Sequence, residues 1–369
     1  MALAIACNRS PAPAPLAKTV SEAGTPALSK PVTAIGGFDL SLHGDGALLV
    51  WSDEAAAARG VYALRLDARG KARAAPLRVG ALETGVRAIE IVAASSAELT
   101  AIGWVGWNGR KAETFALSGD AVAGTFGAPA ALGEPAITST ARRGRLALAA
   151  RSKGGPLAFF RGAEQACADR AALDACTSFG FRALEPTGPL SRGFPLSVPG
   201  ACDTGVSGLA VVGERWHYGV CVVRGGRRVT TVFSVEPAQQ FARVDEVLRG
   251  CIPLGIARVG DQAVAGGDCD GLWQGARFPG GDHPAEALAG DVSLACAGGA
   301  PVLRSGDGRF SLRLSAPIER LEALLPPRHF GPAARAVWTG QALVVAAWDG
   351  TQVSVRSDGC AGDRLVSFE

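Results

Sequence analysis

The residues of this 369-residue chain that carry the most chemistry are nine cysteines and four histidines. Cys7 stands apart near the N-terminus, and Cys167, Cys176, Cys202, Cys221, Cys251, Cys269, Cys296 and Cys360 follow. None lies in a C-x-x-C pair, and His43, His217, His283 and His329 are widely scattered. A thiolate and imidazole zinc site is therefore poorly supported, and no metal or cofactor is expected. An even set of eight cysteines fits disulfides instead. Eight cysteines allow about a hundred pairings, but a fold of local contacts favours near neighbours. That pairs Cys167 with Cys176, Cys202 with Cys221, Cys251 with Cys269 and, by elimination, Cys296 with Cys360. An oxidising, extracytoplasmic compartment follows.

Other reactive-looking stretches are weaker. Asp268-Cys269-Asp270-Gly271 has the D-x-D-G core of a calcium loop, but aligning Gly271 with the loop's glycine puts Gly266 at the first ligand position. Arg277 then stands where the bidentate glutamate belongs. His43-Gly44-Asp45 and Trp216-His217-Tyr218 place histidines beside polar or aromatic neighbours, yet a general base needs a positioned partner, and none is visible in sequence. Both histidines read as structural, and no catalytic residue is assigned.

The elements that must carry these residues repeat. An apolar run, usually glycine-led, precedes a Gly/Asp/Asn turn and a second strand-like run at Gly46 to Asp53, Leu99 to Gly109, Gly144 to Gly155, Gly213 to Gly226, Gly260 to Gly271, Gly299 to Gly308 and Gly340 to Gly350. The turn glycines recur at about 40 to 50 residues, the period of propeller blades, with one longer interval before Gly226. Asn108-Gly109, Gly154-Gly155, Gly225-Gly226, Asp270-Gly271, Asp307-Gly308 and Asp349-Gly350 are hairpin dipeptides that accept positive φ. The first unit has an Ala-rich stretch, Glu54 to Arg59, in place of such a turn. The runs before the turns are apolar on both faces, as in Ala342 to Trp348, and read as inner strands between neighbouring sheets. Those after the turns alternate, as in Val353-Ser354-Val355-Arg356, and lie further out. Trp51, Trp107 and Trp348 read as packing between blades.

The chain is thus expected to be all-β, a seven-bladed β-propeller of four-stranded sheets with an N-terminal tether. The last blade is short of strands, and Thr19 to Thr33 is the expected supplier of its closing strand. Residues 1–18 form a truncated signal and lipobox with a Pro/Ala-rich tether, and 19–369 the propeller. An inserted loop at about 161–202, with a short helix over Ala163 to Ala175, is the best functional candidate.

Ala4-Ile5-Ala6-Cys7 resembles a bacterial lipobox, with Cys7 as the lipid anchor, and Pro11-Ala12-Pro13-Ala14-Pro15 follows as a semi-rigid tether. Only six residues precede Cys7, too few for the apolar region of roughly 7 to 15 that a signal peptide needs. Met1 is therefore expected to be a late start. Gly46-Ala47-Leu48-Leu49-Val50-Trp51-Ser52-Asp53, followed by Gly60-Val61-Tyr62-Ala63-Leu64-Arg65-Leu66-Asp67, resembles the repeat of uncharacterised bacterial exported propeller lipoproteins. The resemblance implies a periplasmic or outer-membrane binding scaffold and carries over no catalytic residues. Ser305-Gly306-Asp307-Gly308-Arg309-Phe310 is similar to the Asp-box turn of sialidase-like propellers, but lacks the residue between Asp and Gly and reads as a hairpin.

Charged residues are 19% of the chain with a formal net charge of +3, and both signs are interspersed. No basic stripe for nucleic acid appears. The expected role is an exported, membrane-tethered, monomeric binding or scaffolding module for a protein or surface polymer, reaching the membrane only through its lipid. A lectin-like, glycan-binding propeller is the alternative, and a polysaccharide-active hydrolase or lyase a third reading.

Overall fold

A computed structural model of the chain describes residues 32–33, 36–55, 59–109, 111–132, 136–137, 146–166, 175–184, 196–236, 241–279, 283–288, 292–305, 311–325, 330, 333–349 and 352–367. Strand β1 (Val32–Thr33) precedes the first blade. Blade one is β2 (Phe38–His43), β3 (Gly46–Asp53), β4 (Gly60–Leu66) and β5 (Leu77–Ala81). Blade two is β6 (Arg87–Ser95), β7 (Thr100–Trp107) and β8 (Lys111–Asp120), with the fragments β9 (Thr125–Phe126), β10 (Ala130–Ala131) and β11 (Ala136–Ile137) pairing with β8. Blade three is β12 (Leu146–Ala149), β13 (Leu157–Ala166), β14 (Ala175–Ala183) and β15 (Leu196–Pro199). Blade four is β16 (Ala201–Val212), β17 (Arg215–Arg224), β18 (Arg227–Glu236) and β19 (Phe241–Val247). Blade five is β20 (Ile252–Val259), β21 (Gln262–Cys269), β22 (Leu272–Phe278) and β23 (Glu286–Leu288). Blade six is β24 (Val292–Ala297), β25 (Ala300–Ser305) and β26 (Ser311–Arg313). Blade seven is β27 (Ala334–Trp338), β28 (Leu343–Trp348) and β29 (Gln352–Ala361), with β30 (Arg364–Ser367) on the far end of β29.

The first strands close a ring. β2 packs beside β6, β6 beside β12, β12 beside β16 and β16 beside β20. A 3-10 turn, Leu321–Ala323, then touches both β20 and β27, and β27 returns to β2. Seven sequential antiparallel sheets arranged this way are a seven-bladed β-propeller. Its closing strand comes from the N-terminal side, because β1 pairs with β29 at Val32 with Val353 and Thr33 with Gln352. Residues 19–31 of the expected closing stretch lie outside the described residues, as do Cys7 and the tether.

The fully apolar runs lie inside their sheets as expected, each as the second strand: β3 is buried from Gly46 through Ser52 and lies between β2 and β4. Neighbouring blades cover both faces of first and second strands alike, so apolarity alone does not rank them. Several expectations need correction. Gly154-Gly155 falls in the connection from β12 to β13, first strand to second, so the second of the six turn dipeptides belongs to a different hairpin from Asn108-Gly109, Gly225-Gly226 and Asp270-Gly271. The helix expected over Ala163 to Ala175 is not formed at its ends. β13 runs to Ala166 and β14 starts at Ala175, with a register shift between Arg161 and Glu164, so cross-strand pairing overrides the helical propensity of alanine. Residues 167–174 lie outside the described set. Among the described residues not every blade shows four strands, since six has three.

Other expectations hold. Trp51 is buried and stacks on Tyr62 at 5.6 Å between centroids, and Trp107 and Trp348 pack against the edges of inter-blade cores. Three of the four disulfides are present: Cys202 to Cys221 and Cys251 to Cys269 tie the first strand region of a blade to its second strand, and Cys296 to Cys360 joins blade six to blade seven. Cys167, and the side chain of Cys176, lie outside the described residues. The helix-poor fold has no described helix long and apolar enough to cross a membrane.

Chain-entropy cost separates these bridges. Cys296 to Cys360 spans 64 residues, against 19 for Cys202 to Cys221. Replacing the first pair by serine should cost about 1 kcal/mol more than replacing the second, within losses of about 2 to 4 kcal/mol. Calorimetry on the two double variants checks this. An equal or reversed order contradicts a seam held by the long bridge.

Candidate functional site

The segment after β26 leaves its sheet at Pro317, which has no amide hydrogen to continue a ladder. Ile318 exchanges both backbone hydrogen bonds with Trp338 of β27, at 2.8 and 2.9 Å. Arg320 then takes a left-handed conformation, φ +64°, and turns the chain into Leu321–Ala323. Leu321, Ala323, Leu324 and Leu325 bury themselves in the core shared by blades five, six and seven. This turn occupies the place between β20 and β27, while β24 packs against β29 and β30. Gly266 of β21 makes room for it: a Cβ there would lie 1.7 Å from the Ala323 carbonyl oxygen. The Trp273 indole N–H donates to that same oxygen at 3.3 Å.

The turn carries charge onto the ring axis. Asp39, second residue of β2, is completely buried. Both Nη atoms of Arg320 donate to its carboxylate, Nη2 to Oδ2 at 2.7 Å, and the Ala93 amide of β6 donates to Oδ2 at 2.7 Å. Arg320 Nη2 also donates to the Ala93 carbonyl at 3.2 Å. Arg335, second residue of β27, brings Nε to 3.3 Å from Asp39 Oδ1 and 3.8 Å from Glu322 Oε1. Glu322 Oε2 accepts the Ala336 amide at 3.0 Å. One cluster therefore joins blades one, two and seven to the turn that completes six.

Three carboxylates meet two guanidinium groups here, because Glu319 adds a third acid. Its Oε1 is enclosed and accepts no hydrogen bond among the described residues. Burial pushes the Glu319 carboxyl up to about 7, with Arg320 pulling it down and Asp39 and Glu322 adding to the rise. Burial also raises Glu322. For Arg320, burial alone would lower its value, and the Asp39 charge outweighs it, leaving the guanidinium firmly protonated. The cluster can hold one exchangeable proton near neutral pH and otherwise locks the seam of the ring.

The histidines singled out in the sequence divide. His217 is buried in blade four with Nδ1 2.9 Å from Ser234 Oγ, and burial lowers it to about 4, which keeps it neutral. His43, at the end of β2, has Nδ1 3.1 Å from Ser95 Oγ, which is itself 3.1 Å from Thr100 Oγ1. Burial, then the Arg65 charge, lowers His43 as well. A neutral imidazole beside a hydroxyl is half of a nucleophilic arrangement, which also needs a group orienting the ring. Neither nearby acid is free for that: Asp45 pairs with Arg73 at 2.7 Å, and Asp120 accepts the amides of Val122 and Ala123. In the calcium-like loop, Asp268 Oδ1 accepts the Gly271 amide at 2.7 Å and Cys269 bonds to Cys251. Residues 306–310 of the Asp-box-like stretch, and residues 167–174 and 185–195 of the 161–202 insertion, lie outside the described residues. Sequence reasoning missed Asp39, Glu319, Arg320, Glu322 and Arg335. The one local signal was the charged run Glu319-Arg320-Leu321-Glu322 after a proline.

No known family matches the chain, and no curated protein matches it. Among solved structures, it is similar to prolyl endopeptidases at 14% identity and TM-score 0.45, over 91% of this chain and 50% of that one. The chain thus spans about half the length of that enzyme. It is also similar to the AfRom2 CNH domain, at 13% identity and TM-score 0.41 over 92% and 99% of the two chains. A third likeness is the β-propeller domain of the Trilobed protease from Pyrococcus furiosus, at 11% identity and TM-score 0.35 over 75% and 94%. None of these carries a function to this chain.

Glu319 makes the seam depend on pH. Between its ordinary value of 4.5 and about 7, the folded protein keeps a proton that the unfolded chain has released. Raising pH through that window therefore favours unfolding. The lowered histidines act oppositely below about 6.5, so the informative quantity is a difference between variants. Glu319→Gln should gain melting temperature over wild type progressively from about pH 4.5 to 7. A pH-independent difference between the two melting curves contradicts the protonated carboxyl.

Proposed function

We propose that this chain is an exported binding module: a rigid propeller, tethered through a lipid on Cys7, that presents one edge of the ring to a protein or surface polymer. The observation that carries the reading is the set of three disulfides, which stabilise a fold in a non-reducing, extracytoplasmic environment. The lipobox-like Ala4-Ile5-Ala6-Cys7 and its proline-rich continuation supply the tether. On this reading the module works as a monomer, with the last blade closed from within the chain by β1.

A glycan-binding propeller is less well supported. Carbohydrate platforms rely on exposed aromatic rings, whereas the large hydrophobic side chains most exposed among the described residues are all aliphatic, from Val122 to Leu272 and Val366. Among the described residues the hydrolase or lyase reading has two His–Ser pairs, His43 with Ser95 and the buried His217 with Ser234, and neither ring has a carboxylate hydrogen-bonded to it.

Location tests the tether. Expressed behind a lipoprotein signal segment that ends at Cys7, the wild type should fractionate with membranes and partition into detergent, while Cys7→Ala should be released as a soluble, folded ring. Equal solubility of the two forms removes the lipid anchor and leaves a freely exported propeller.

A further inference from the structure

The wedge between blades one and two turns from apolar to polar toward the end of β2. Leu48 of β3, Ala63 of β4, Ala93 of β6 and Ile102 of β7 belong to one core between the two sheets. Side chains two residues further along a strand share its face. On blade one that places Arg65 in the wedge, two beyond Ala63, with Ser41, which pairs across to Leu48, and then His43. On blade two it places Ser95 there, two beyond Ala93, with its cross-strand partner Thr100. Contacts across the wedge agree, because His43 Nδ1 lies 3.1 Å from Ser95 Oγ and 3.4 Å from Thr100 Oγ1. Among the surrounding charges, that of Arg65 acts most strongly on the ring, ahead of those of Asp120, Arg73 and Asp45.

Two enclosed polar atoms of this wedge have nothing to bond. Ser41 is completely buried, and neither its Oγ nor Arg65 Nε has a hydrogen-bond partner among the described residues. The Arg65 guanidinium has no ion-pair partner among them either, whereas Arg73 is matched by Asp45 at 2.7 Å. Buried donors without acceptors cost free energy, and such groups in a folded protein call for a partner. His43 and Ser95 are only half-buried, so the cluster opens to solvent at the end of the wedge.

We propose that this cluster is a binding site for a carboxylate group, held by Arg65 and by the hydroxyls of Ser95 and Thr100 beside His43. A carboxylate accepts from a guanidinium in charge-assisted hydrogen bonds and from hydroxyls as well, so it supplies the acceptors that the wedge lacks. One unmatched positive charge suits one negative charge. A dianion such as phosphate brings excess charge toward Asp120, whose carboxylate already accepts the amides of Val122 and Ala123. A neutral amide of the same shape forgoes the charge-assisted bonds. The site goes beyond the binding-module reading and does not depend on it, since neither the tether nor a disulfide takes part.

Acetate is the probe, with phosphate and acetamide as comparators, titrated near neutral pH and at fixed ionic strength into the disulfide-intact full chain carrying isotope-labelled histidine. The His43 ring resonances, assigned with His43→Gln, should shift saturably with acetate, and both comparators should bind at least about tenfold more weakly. Arg65→Met keeps the apolar stem and should weaken acetate about tenfold or more, and Ser95→Ala should weaken it about threefold or more. An unchanged melting temperature certifies each fold; where a variant folds poorly, the preference of the wild type for acetate over acetamide still decides. No saturable shift with acetate, equal binding of phosphate or acetamide, or indifference of a folded Arg65→Met overturns the proposal.

Discussion

A single buried carboxylate, that of Asp39, ties the two ends of the chain together where this ring closes. It has no access to water, and it is held by two arginines from the far end of the chain and by an amide of the second blade. Contacts within blades are local and would form in any array of hairpins, closed or open. Closure is different, because residues 281 apart in sequence must meet, and the β1 pairing described spans two residue pairs. A buried ion pair adds little net stability over an apolar replacement, but breaking one by removing a partner costs about 3 to 5 kcal/mol. The network therefore acts by making the open ring, or one closed in a different register, expensive.

Blade six explains why such a device sits where it does. Its sheet has three strands among the described residues, and the place between β20 and β27 is filled by the 3-10 turn Leu321–Ala323. Backbone hydrogen bonds that an inner strand would share are replaced by side-chain ones: Trp273 to Ala323, Glu322 to Ala336 and Arg320 to Ala93. The left-handed Arg320 stores strain of order 1 kcal/mol or more, offset by the bonds its guanidinium makes. Far from this seam, blades four and five are held by their own disulfides.

Much of this architecture was legible in the residues. The Gly225-Gly226 and Asp270-Gly271 turns adopt positive φ as their composition requires, and cysteines paired with near neighbours because blade contacts are local. Legibility failed where tertiary context decides. Gly154-Gly155 has hairpin chemistry, and nothing local says which pair of strands it joins. Ala163 to Ala166 favours a helix in isolation but extends a hairpin. The axial cluster was invisible, since Asp39 sits in an ordinary apolar run and its partners share no motif with it; only the ring brings them together. Arg224, Arg227, Arg228 and Arg249 were read as interspersed charge, because they become neighbours only through two turns.

Native-state hydrogen exchange on Asp39→Asn tests the closing role most directly, by reading stability amide by amide. If Asp39 holds the seam, protection should fall first at the amides of Ala93 and Ala336 and across blades one and seven, while blades three to five keep theirs. Uniform loss across all seven blades, or unchanged protection at Ala93 and Ala336, would contradict that account.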